Sequence, residues 1–398
     1  MEKILYLVHR IPYPPNKGDK IRSYHFLKQL AQHYQVFLAT FIDDEADWSY
    51  QEQLHDYCQN VYCAGLNPQL AKLKSLAGLL SGQALSLPYY QNQALQHWVD
   101  DTLAQQGIKK VVVFSSAMAQ FVMDKPDIDM IVDFVDVDSD KWRQYAEKKT
   151  GPESWIYHRE AKKLFEFEKH VAARSTSSFF VSRQEAELFK QLAPACQEKV
   201  GWVNNGVDTV FFDPELNDPS PYSATEQALV FTGAMDYWPN IDAVTWFAEQ
   251  VFPHIQKTFP RVKFYIVGSK PTKEVLALAD TNQGIVVTGR VDDVRPFLKH
   301  AAIAVAPLRV ARGIQNKVLE AMAMKKTIAA TAAAMEGIEG FDALDVIQEN
   351  DAEALAKVIV KRLGLDASSL HSDKNRHFVE QNFSWASSGQ ALLKEMNG

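Results

Sequence analysis

One short stretch of the chain combines cations, a glycine and a carboxylate at the point where an apolar run gives way to a helical pattern. Residues 307–320 read PLRVARGIQNKVLE and hold Arg309, Arg312, Gly313 and Lys317. Cations and backbone amides at the start of a helix favour a bound phosphate, because they present positive charge to it. We therefore predict a phosphate-binding loop here. The alternative is a solvated loop with surface cations.

A second glycine-containing loop lies near the start of the chain, between a short apolar run and a helical pattern. Gly18, Asp19 and Arg22 stand where the helical pattern begins. A glycine loop that leads into a helix favours anions, because the first backbone amides of the helix and its dipole present positive charge. We therefore predict that this loop meets a phosphate or an acceptor molecule. The alternative is that Gly18 only makes a turn.

Two aspartates, Asp136 and Asp138, follow another apolar run and precede a helical pattern. A carboxylate in such a position can orient a hydroxyl or transfer a proton, and it can equally cap the helix that follows. Paired aspartates can also hold Mg²⁺ together with phosphates. Because Asp-x-Asp spacings arise readily in an acidic stretch, we predict no metal site and leave acid–base work and helix capping as alternatives.

These loops must be positioned by the apolar runs that precede them. Short β-branched runs alternate with helical stretches, and runs that are apolar on both faces are typical of parallel sheets covered by helices. The pattern predicts an α/β protein with two facing, doubly wound, Rossmann-like domains, whose ligands bind at the carboxyl ends of the strands in the cleft between them. The predicted strands are 4–8, 36–41, 111–115, 130–135, 179–181, 200–203, 229–232, 262–267, 285–288, 303–307 and 327–330.

Composition limits the classes to which the chain can belong. Of 398 residues, 46% are hydrophobic and 23% are charged, as in a folded globular protein of two domains. The net charge of −7 argues against a nucleic-acid partner. Three cysteines without CxxC spacing predict neither a disulfide framework nor a zinc site. The lack of a long apolar stretch predicts a cytoplasmic protein, at most peripheral on a membrane. The sequence contains neither a GxGxxG motif after a predicted strand nor a P-loop motif, so it does not support a dinucleotide enzyme or a P-loop NTPase.

The order of segments in the second half of the chain resembles a known family. Residues 229–268 read LVFTGAMDYWPNIDAVTWFAEQVFPHIQKTFPRVKFYIVG, and residues 285–331 read IVVTGRVDDVRPFLKHAAIAVAPLRVARGIQNKVLEAMAMKKTIAAT. Both resemble the donor domain of GT-B glycosyltransferases, specifically the retaining family 4, also called glycosyl transferases group 1. The runs FVSRQEAELF and VNNGVDTVFF and the glycine-containing stretch 13–40 are similar to that family as well.

Within that family the chain is most similar to bacterial sugar transferases of exopolysaccharide gene clusters, including the PEP-CTERM/EpsH-associated type. The features that carry this likeness are His9-Arg10 before a proline-rich run, the aspartate-rich run 133–142 and the run GIQNKVLEAMA. The resemblance implies a retaining transferase that moves a sugar from a nucleotide-diphosphate-sugar to a glycan acceptor, expected to be lipid-linked. It implies no metal and no cofactor besides that donor substrate.

The resemblance also implies a division of the chain. An acceptor-binding domain is expected over 1–205, and a nucleotide-sugar donor domain over 206–380. A C-terminal helix over 381–398 is expected to pack back on the first domain.

Roles for donor-domain residues follow from the same resemblance. It places Lys317, with Arg309 or Arg312, at the donor phosphates. It places Glu320 at the ribose, where one carboxylate accepts both hydroxyls. A Lys–Glu pair on a helix surface is the alternative for Glu320. The predicted donor set is completed by Gly233, Arg290, Gly313 and Asn316.

Three positions need comment. Arg312 stands where the family has its first conserved glutamate, a residue that touches the donor sugar, so the identity of the sugar is not predicted. Ala234 follows Gly233 where the family often has an arginine. Arg290 is expected at the rim of the site, near the base or the phosphates; the alternative is an ion pair with Asp292 or its neighbour Asp293.

Residues 70–80 have leucines on one helical face and lysines off it. The pattern predicts an ordinary helix whose apolar face packs on the core. The alternative is a helix that docks on an anionic membrane, as a peripheral contact with the inner membrane would require.

Two other functions fit the same residues. Another GT-B enzyme, such as a nucleotide-sugar epimerase, would turn over its substrate without an acceptor. A non-catalytic protein that senses a nucleotide-sugar would bind the donor and form no product.

Overall fold

The computed structural model describes residues 1–16, 18–76, 78–79, 82–147, 150–311, 313–366 and 370–397. The chain divides into two units, each built around its own parallel sheet. The first unit comprises residues 1–205 together with 388–398, and the second comprises 206–387. The last helix, Trp385–Asn397, begins in the second unit and ends in the first.

The sheet of the first unit has seven parallel strands in the order β3-β2-β1-β4-β5-β6-β7. Its central strands are apolar on both faces, and residues 4–8 are fully buried, as expected where helices cover both sides of a sheet. The strands are β1 Glu2–Val8, β2 Tyr34–Ile42, β3 Asn60–Gly65, β4 Lys110–Phe114, β5 Asp129–Val135, β6 Ser177–Phe180 and β7 Val200–Trp202.

Seven α-helices of the described chain belong to this unit. They connect successive strands, as parallel pairing requires. They are α1 Gly18–His33, α2 Pro68–Ser75, α3 Ser86–Tyr90, α4 Gln93–Gln106, α5 Asp138–Glu147, α6 Pro152–Arg174 and α7 Arg183–Leu192. Short 3₁₀ helices lie at Glu45–Tyr50, Glu52–Asp56, Ser116–Phe121 and Pro194–Lys199.

The second unit has six parallel strands in the order β10-β9-β8-β11-β12-β13. The strands are β8 Gln227–Thr232, β9 Val262–Val267, β10 Ile285–Gly289, β11 Ile303–Ala306, β12 Ile328–Ala330 and β13 Val346–Gln348. The helices are α8 Trp238–Trp246, α9 Phe252–Thr258, α10 Lys273–Thr281, α11 Arg295–His300, α12 Asn316–Ala323, α13 Ala352–Leu363 and α14 Asp373–Asn382, and the last helix, α15 Trp385–Asn397, runs from this unit into the first. A π-helical turn, Phe247–Val251, joins α8 to α9, and 3₁₀ turns lie at Ala333–Met335 and Phe341–Ala343.

Each sheet reverses its strand order once. In the first sheet this happens between β1 and β4, and in the second between β8 and β11. The loops that leave two such strands run in opposite directions and open a crevice at the carboxyl edge of the sheet, which is where doubly wound folds bind ligands. The predicted phosphate-binding loop follows β11. Gly233, one of the predicted donor residues, follows β8 and begins the turn called here the Gly233 turn.

The predicted strands correspond to eleven of the thirteen strands, with ends that differ by a few residues. The two that the prediction missed, β3 and β13, each lie at an edge of a sheet. Edge strands have fewer buried positions, and β13 has only three residues, so neither forms a clear apolar run.

The prediction that the helix at 70–80 packs its apolar face on the core is wrong for the part that the structure describes. In and just after α2, Leu70, Leu73 and Leu76 are 56%, 65% and 49% exposed, whereas Ala71 and Ser75 are buried. The small residues, and not the leucines, face the protein. Ala77 and Leu80 lie outside the described residues.

The second unit requires two glycines at the carboxyl edge of its sheet. A Cβ atom on Gly268, just after β9, would lie 1.7 Å from the carbonyl oxygen of Gly233, just after β8. The amide of Gly233 in turn donates to Val267 at 3.0 Å. Two loops therefore touch through their backbones, and this close approach fixes where the Gly233 turn begins.

Replacing Gly268 with alanine should destabilise the second unit by about 1–3 kcal/mol, because the added methyl group must push the two loops apart. Denaturant-induced unfolding measures the effect. Gly364→Ala is the matched control, because a Cβ there would meet its neighbours at an ordinary 3.6 Å. Equal stability of the two variants would mean that the loops separate freely.

Candidate functional site

The carboxyl edge of the second sheet brings together two segments that the sequence analysis singled out. The turn that begins at Gly233 leaves β8 and leads into α8, whose first turn contains Pro239, a residue with a backbone angle suited to that position. The loop 307–315 leaves β11 and leads into α12. In this loop Gly313 has φ +67°, a left-handed conformation that favours glycine.

Lys317, in the first turn of α12, reaches across to α8. Its Nζ donates to Oδ1 of Asn240 at 2.5 Å and lies 4.4 Å from the ring centre of Phe231, on β8. Nδ2 of Asn240 donates to the carbonyl oxygen of Ala234 at 2.9 Å. One buried amide thus connects the Gly233 turn to the lysine of α12.

Lys317 and Glu320 lie one helical turn apart, and burial perturbs both of them. Burial lowers the pKa of Lys317 to about 8, although the charge of Glu320 acts in the opposite direction. Burial raises the pKa of Glu320 to about 7, opposed by the charge of Lys317. A half-buried cation and carboxyl at the carboxyl edge of a sheet are the groups that an anion and neighbouring hydroxyls would engage.

Arg309 contacts α8, the helix that also holds Asn240. Its Nε donates to Oδ2 of Asp242 at 3.0 Å, its Nη2 forms a close ion pair with Oδ1 of that residue, and half of its side chain is exposed. Arg309 therefore lies beside the Lys317 site with its charge already paired. Arg312, the other predicted phosphate ligand, lies outside the described residues.

The remaining predicted donor residues lie at the same edge of the sheet. Asn316 is the exposed first residue of α12, and the carbonyl oxygen of Gly313 accepts from the Gln315 amide at 3.1 Å. Arg290 is exposed and follows β10, which β9 separates from β8. Within the described residues Arg290 forms neither alternative ion pair, with Asp292 or with Asp293, and Asp293 pairs with Arg295 at 2.6 Å.

In the first unit, Arg22 is occupied by the interior of the domain. Its Nε and Nη2 donate to the carboxylate of Asp133 at 2.7 and 3.3 Å, and its Nη1 donates to Asn205 at 2.9 Å. Both members of the ion pair are almost fully buried. The sequence analysis placed this guanidinium on a phosphate or acceptor, whereas the structure uses it to tie α1 to the end of β5.

The other residues of the predicted N-terminal loop lie at the carboxyl edge of the first sheet. Asp19 accepts from Nη1 of Arg10 at 2.6 Å and lies 3.4 Å from Nε2 of His9. Burial acts to raise the pKa of Asp19, but the hydrogen bond from His9 and the charge of Arg10 outweigh it and hold this pKa well below its usual range. Gly18 begins α1, and a Cβ there would meet nothing within 4 Å.

Asp136 and Asp138 share one lysine. Nζ of Lys141 donates to Asp136 at 2.6 Å and to Asp138 at 3.2 Å. Burial raises the pKa of Asp138, and Lys141 opposes that effect. Val135, just before them, has φ +68°, a strained conformation for a β-branched residue. The two aspartates therefore lie between the strained backbone of Val135 and the first turn of α5, and Lys141 fixes their side chains.

Sequence reasoning missed two residues that the structure brings to these edges. Asn240 is the buried residue that accepts a hydrogen bond from Lys317. The only feature of the sequence that could have indicated it is its place shortly after Gly233. His9 follows β1, where the first sheet reverses its strand order, and its ring stacks on Phe114 at 5.7 Å. Nδ1 of His9 is buried and has no hydrogen-bond partner within the described ranges.

The described part of the chain has neither a metal-binding cluster nor a membrane-spanning helix. It contains no group of three or more His, Cys, Asp or Glu side chains arranged to hold a metal ion. No helix in it is both long and apolar enough to cross a membrane.

Stability should depend on pH through Glu320. Between its ordinary pKa of about 4.3 and its folded pKa of about 7, the folded chain keeps a proton that the unfolded chain has lost. Stability therefore falls as the pH rises through this window. Glu320→Gln should remove the decline, gaining about 3 kcal/mol over the wild type between pH 4.5 and pH 7.5.

Unfolding at several pH values measures this difference, and Glu249→Gln, at an exposed position of the same unit, is the control. A constant difference between Glu320→Gln and the wild type at all pH values would contradict the expectation.

Comparison with known proteins finds a family match in the second half of the chain and structural neighbours for the whole of it. Residues 226–364 match the family model described as glycosyl transferases group 1, and no curated protein matches the chain. Similar solved structures include a glycosyltransferase from Rickettsia africae, with 14% identity, TM-score 0.68 and coverage of 100% of this chain and 98% of that one.

Anabaena HepE in complex with UDP has 14% identity, TM-score 0.63 and 99% coverage of both chains. WaaG, a glycosyltransferase involved in lipopolysaccharide biosynthesis, has 15% identity, TM-score 0.61 and coverage of 99% and 100%. Residues 226–364 therefore match the group 1 glycosyltransferase family, and the whole chain has the two-domain α/β GT-B fold.

Proposed function

We propose that this protein is a glycosyltransferase that takes its sugar from a nucleotide-diphosphate-sugar. The observation that carries the proposal is the Lys317–Glu320 pair on the helix after β11, at the place where the second sheet reverses its strand order. A half-buried ammonium held by a neutral oxygen is suited to a diphosphate, and the carboxyl one turn later is suited to the two hydroxyls of a ribose. The UDP and UDP-glucose complexes of Anabaena HepE support this class of donor.

The transfer itself is proposed to retain the configuration of the sugar and to need no metal. The bond from the anomeric carbon to the phosphate oxygen breaks with its electron pair on the diphosphate, while the acceptor oxygen bonds to that carbon. The acceptor proton passes to the departing diphosphate. Lys317 stabilises the negative charge that grows on this leaving group, and Arg309 can add to it once Asp242 releases it.

The acceptor is proposed to bind the first unit, at the carboxyl edge of its sheet. Asp136 and Asp138 lie there next to Val135, whose backbone is strained. The buried Nδ1 of His9, which has no hydrogen-bond partner in the described part of the chain, is available to a hydroxyl group. Groups of this kind orient a sugar hydroxyl. We propose a glycan on a lipid carrier as the acceptor, in exopolysaccharide or cell-surface polysaccharide biosynthesis, because exposed leucines of the same unit provide a way to reach a membrane.

Binding of one nucleoside diphosphate should stabilise the protein against heat. At a hundred times its dissociation constant, the ligand adds about 2.7 kcal/mol. A thermal-shift screen with UDP, GDP, ADP, CMP and dTDP, with and without EDTA, measures the effect. We expect a shift with one diphosphate that EDTA does not change, and its loss in Lys317→Met and Glu320→Ala.

Lys273→Met, which removes an exposed lysine of the same unit, is the control and should keep the shift. No shift with any nucleotide would overturn the donor site. If a nucleotide shifts the melting temperature but the protein transfers no sugar from the matching nucleotide-sugar, either to water or to acceptors in a membrane extract, the protein binds the donor without catalysis.

Membrane contact is proposed for α2. The three exposed leucines and the exposed Lys72 and Lys74 form a mixed apolar and basic surface, which suits a membrane with anionic headgroups. The chain would then dock from one side of the bilayer and take a lipid-linked acceptor from its surface.

Changing Leu70, Leu73 and Leu76 together to asparagine should weaken binding to phosphatidylglycerol vesicles about tenfold or more, because the apolar area that enters the interface is lost. Vesicle co-sedimentation measures binding, with phosphatidylcholine vesicles as the neutral reference. The control makes the same change at Leu192, Leu276 and Leu365, three exposed leucines elsewhere. Equal binding of both triple variants would rule out this surface.

A further inference from the structure

Asn240 is more buried and more fully bonded than an ordinary residue in the first turn of a helix. Its exposed fraction is 5%, its Oδ1 accepts from Lys317 at 2.5 Å, and its Nδ2 donates to the carbonyl oxygen of Ala234 at 2.9 Å. These two partners also fix the orientation of the amide group. A carbonyl oxygen needs a donor and an ammonium needs an acceptor, so only one of the two flips satisfies both.

The neutrality of this partner matters for the lysine. A carboxylate in the place of the amide would neutralise the ammonium and compete with any phosphate for it. The amide oxygen holds the ammonium in place while its positive charge remains available. Glu320 is the charged group that acts on Lys317 from its own helix, and the carboxylate of α8, Asp242, is engaged by Arg309.

Gly233 makes the position of this amide possible. A Cβ on Gly233 would lie 2.7 Å from Nδ2 of Asn240, closer than real Cβ contacts come. The glycine therefore leaves room for Asn240 beside the turn, in addition to any room it leaves for a ligand. A glycine, a buried amide and a lysine from three segments of the chain thus form one packed group.

We propose that Asn240 is a positioning residue, which holds the ammonium of Lys317 at the crevice as an uncancelled charge for the diphosphate of the donor. The ligand class rests on the proposed function of this site. The hold on Lys317 is a property of the protein alone. Gly233 belongs to the same arrangement because it makes room for the amide.

Two substitutions at this position should move Lys317 in opposite directions. Asn240→Asp keeps the shape but adds a negative charge, so the pKa of Lys317 should rise from about 8. Asn240→Ala removes the oxygen that accepts from the charged form, so this pKa should fall. The pH dependence of amine acylation at Lys317, followed by peptide mass spectrometry on the intact protein without nucleotide, measures both.

Nucleotide affinity supplies the second readout. For whichever of UDP, GDP, ADP and dTDP the wild type binds, Asn240→Asp should weaken binding at least tenfold, because the new carboxylate competes with the phosphates for Lys317. Asn282→Asp adds the same charge near the amino end of β10, where its amide contacts Gln256 and Gly284, and should change affinity less than twofold.

The two readouts separate the possible failures. If Asn240→Asp and Asn240→Ala leave the pKa of Lys317 unchanged, or move it in the same direction, the proposed hold is wrong. If the pKa of Lys317 moves as expected but Asn240→Asp binds the nucleotide as tightly as the wild type does, Asn240 positions Lys317 without any effect on the diphosphate, and the proposal is overturned. If the wild type binds no nucleotide, the proposed function fails, and the acylation result still decides whether Asn240 holds Lys317.

Discussion

A single positive charge, kept half-buried beside a neutral oxygen, organises the edge of the second sheet. Lys317 reaches from α12 to Asn240 on α8, and that amide also binds the turn after β8. The turn can approach so closely because glycines stand at 233 and 268. Burial makes the charge costly, since it lowers the pKa of the lysine to about 8. An anionic ligand would lower that cost, which is the physical basis of the proposed diphosphate site.

The carboxyl edges of the two sheets differ in how their charged side chains are paired. In the first unit the charged side chains mostly satisfy one another: Arg22 binds Asp133, Arg10 binds Asp19, and Lys141 bridges two aspartates. Such pairs fix loops, because removing one partner of a buried pair leaves the other charge uncompensated. The proposed acceptor, a sugar with hydroxyl groups, would bind this edge without separating those pairs, and the proposed donor, which is charged, would meet the Lys317 ammonium at the edge of the second unit.

Much of the fold follows from periodicity, because buried parallel strands form apolar runs that end at turns. The exceptions are short or lie at an edge, like β3 and β13, where few side chains are buried. Lys317 and Glu320 are indicated by the resemblance to the group 1 family and not by periodicity, and their roles at a donor stay predictions. Asn240 and the partner of Arg22 could not be predicted, since Asp133 is far away in the sequence and a buried asparagine looks like any other. The exposed leucines of α2 misled for a similar reason: periodicity shows that a helix has two faces but not which face is covered.

The path of the chain has a consequence for its synthesis. The first unit is completed only by residues 388–398, where Gly389 lies tightly against Gln29 of α1 and Glu395 lies beside Gly201. The whole second unit is made in between, which takes tens of seconds at about 5–20 residues per second. During that time the first unit, with its seven-stranded sheet, lacks the part of α15 that packs on it. The surface around Gln29 stays open until residues 388–398 have been made, so a chain cut short just after residue 387 would contain the whole second unit and an incomplete first unit.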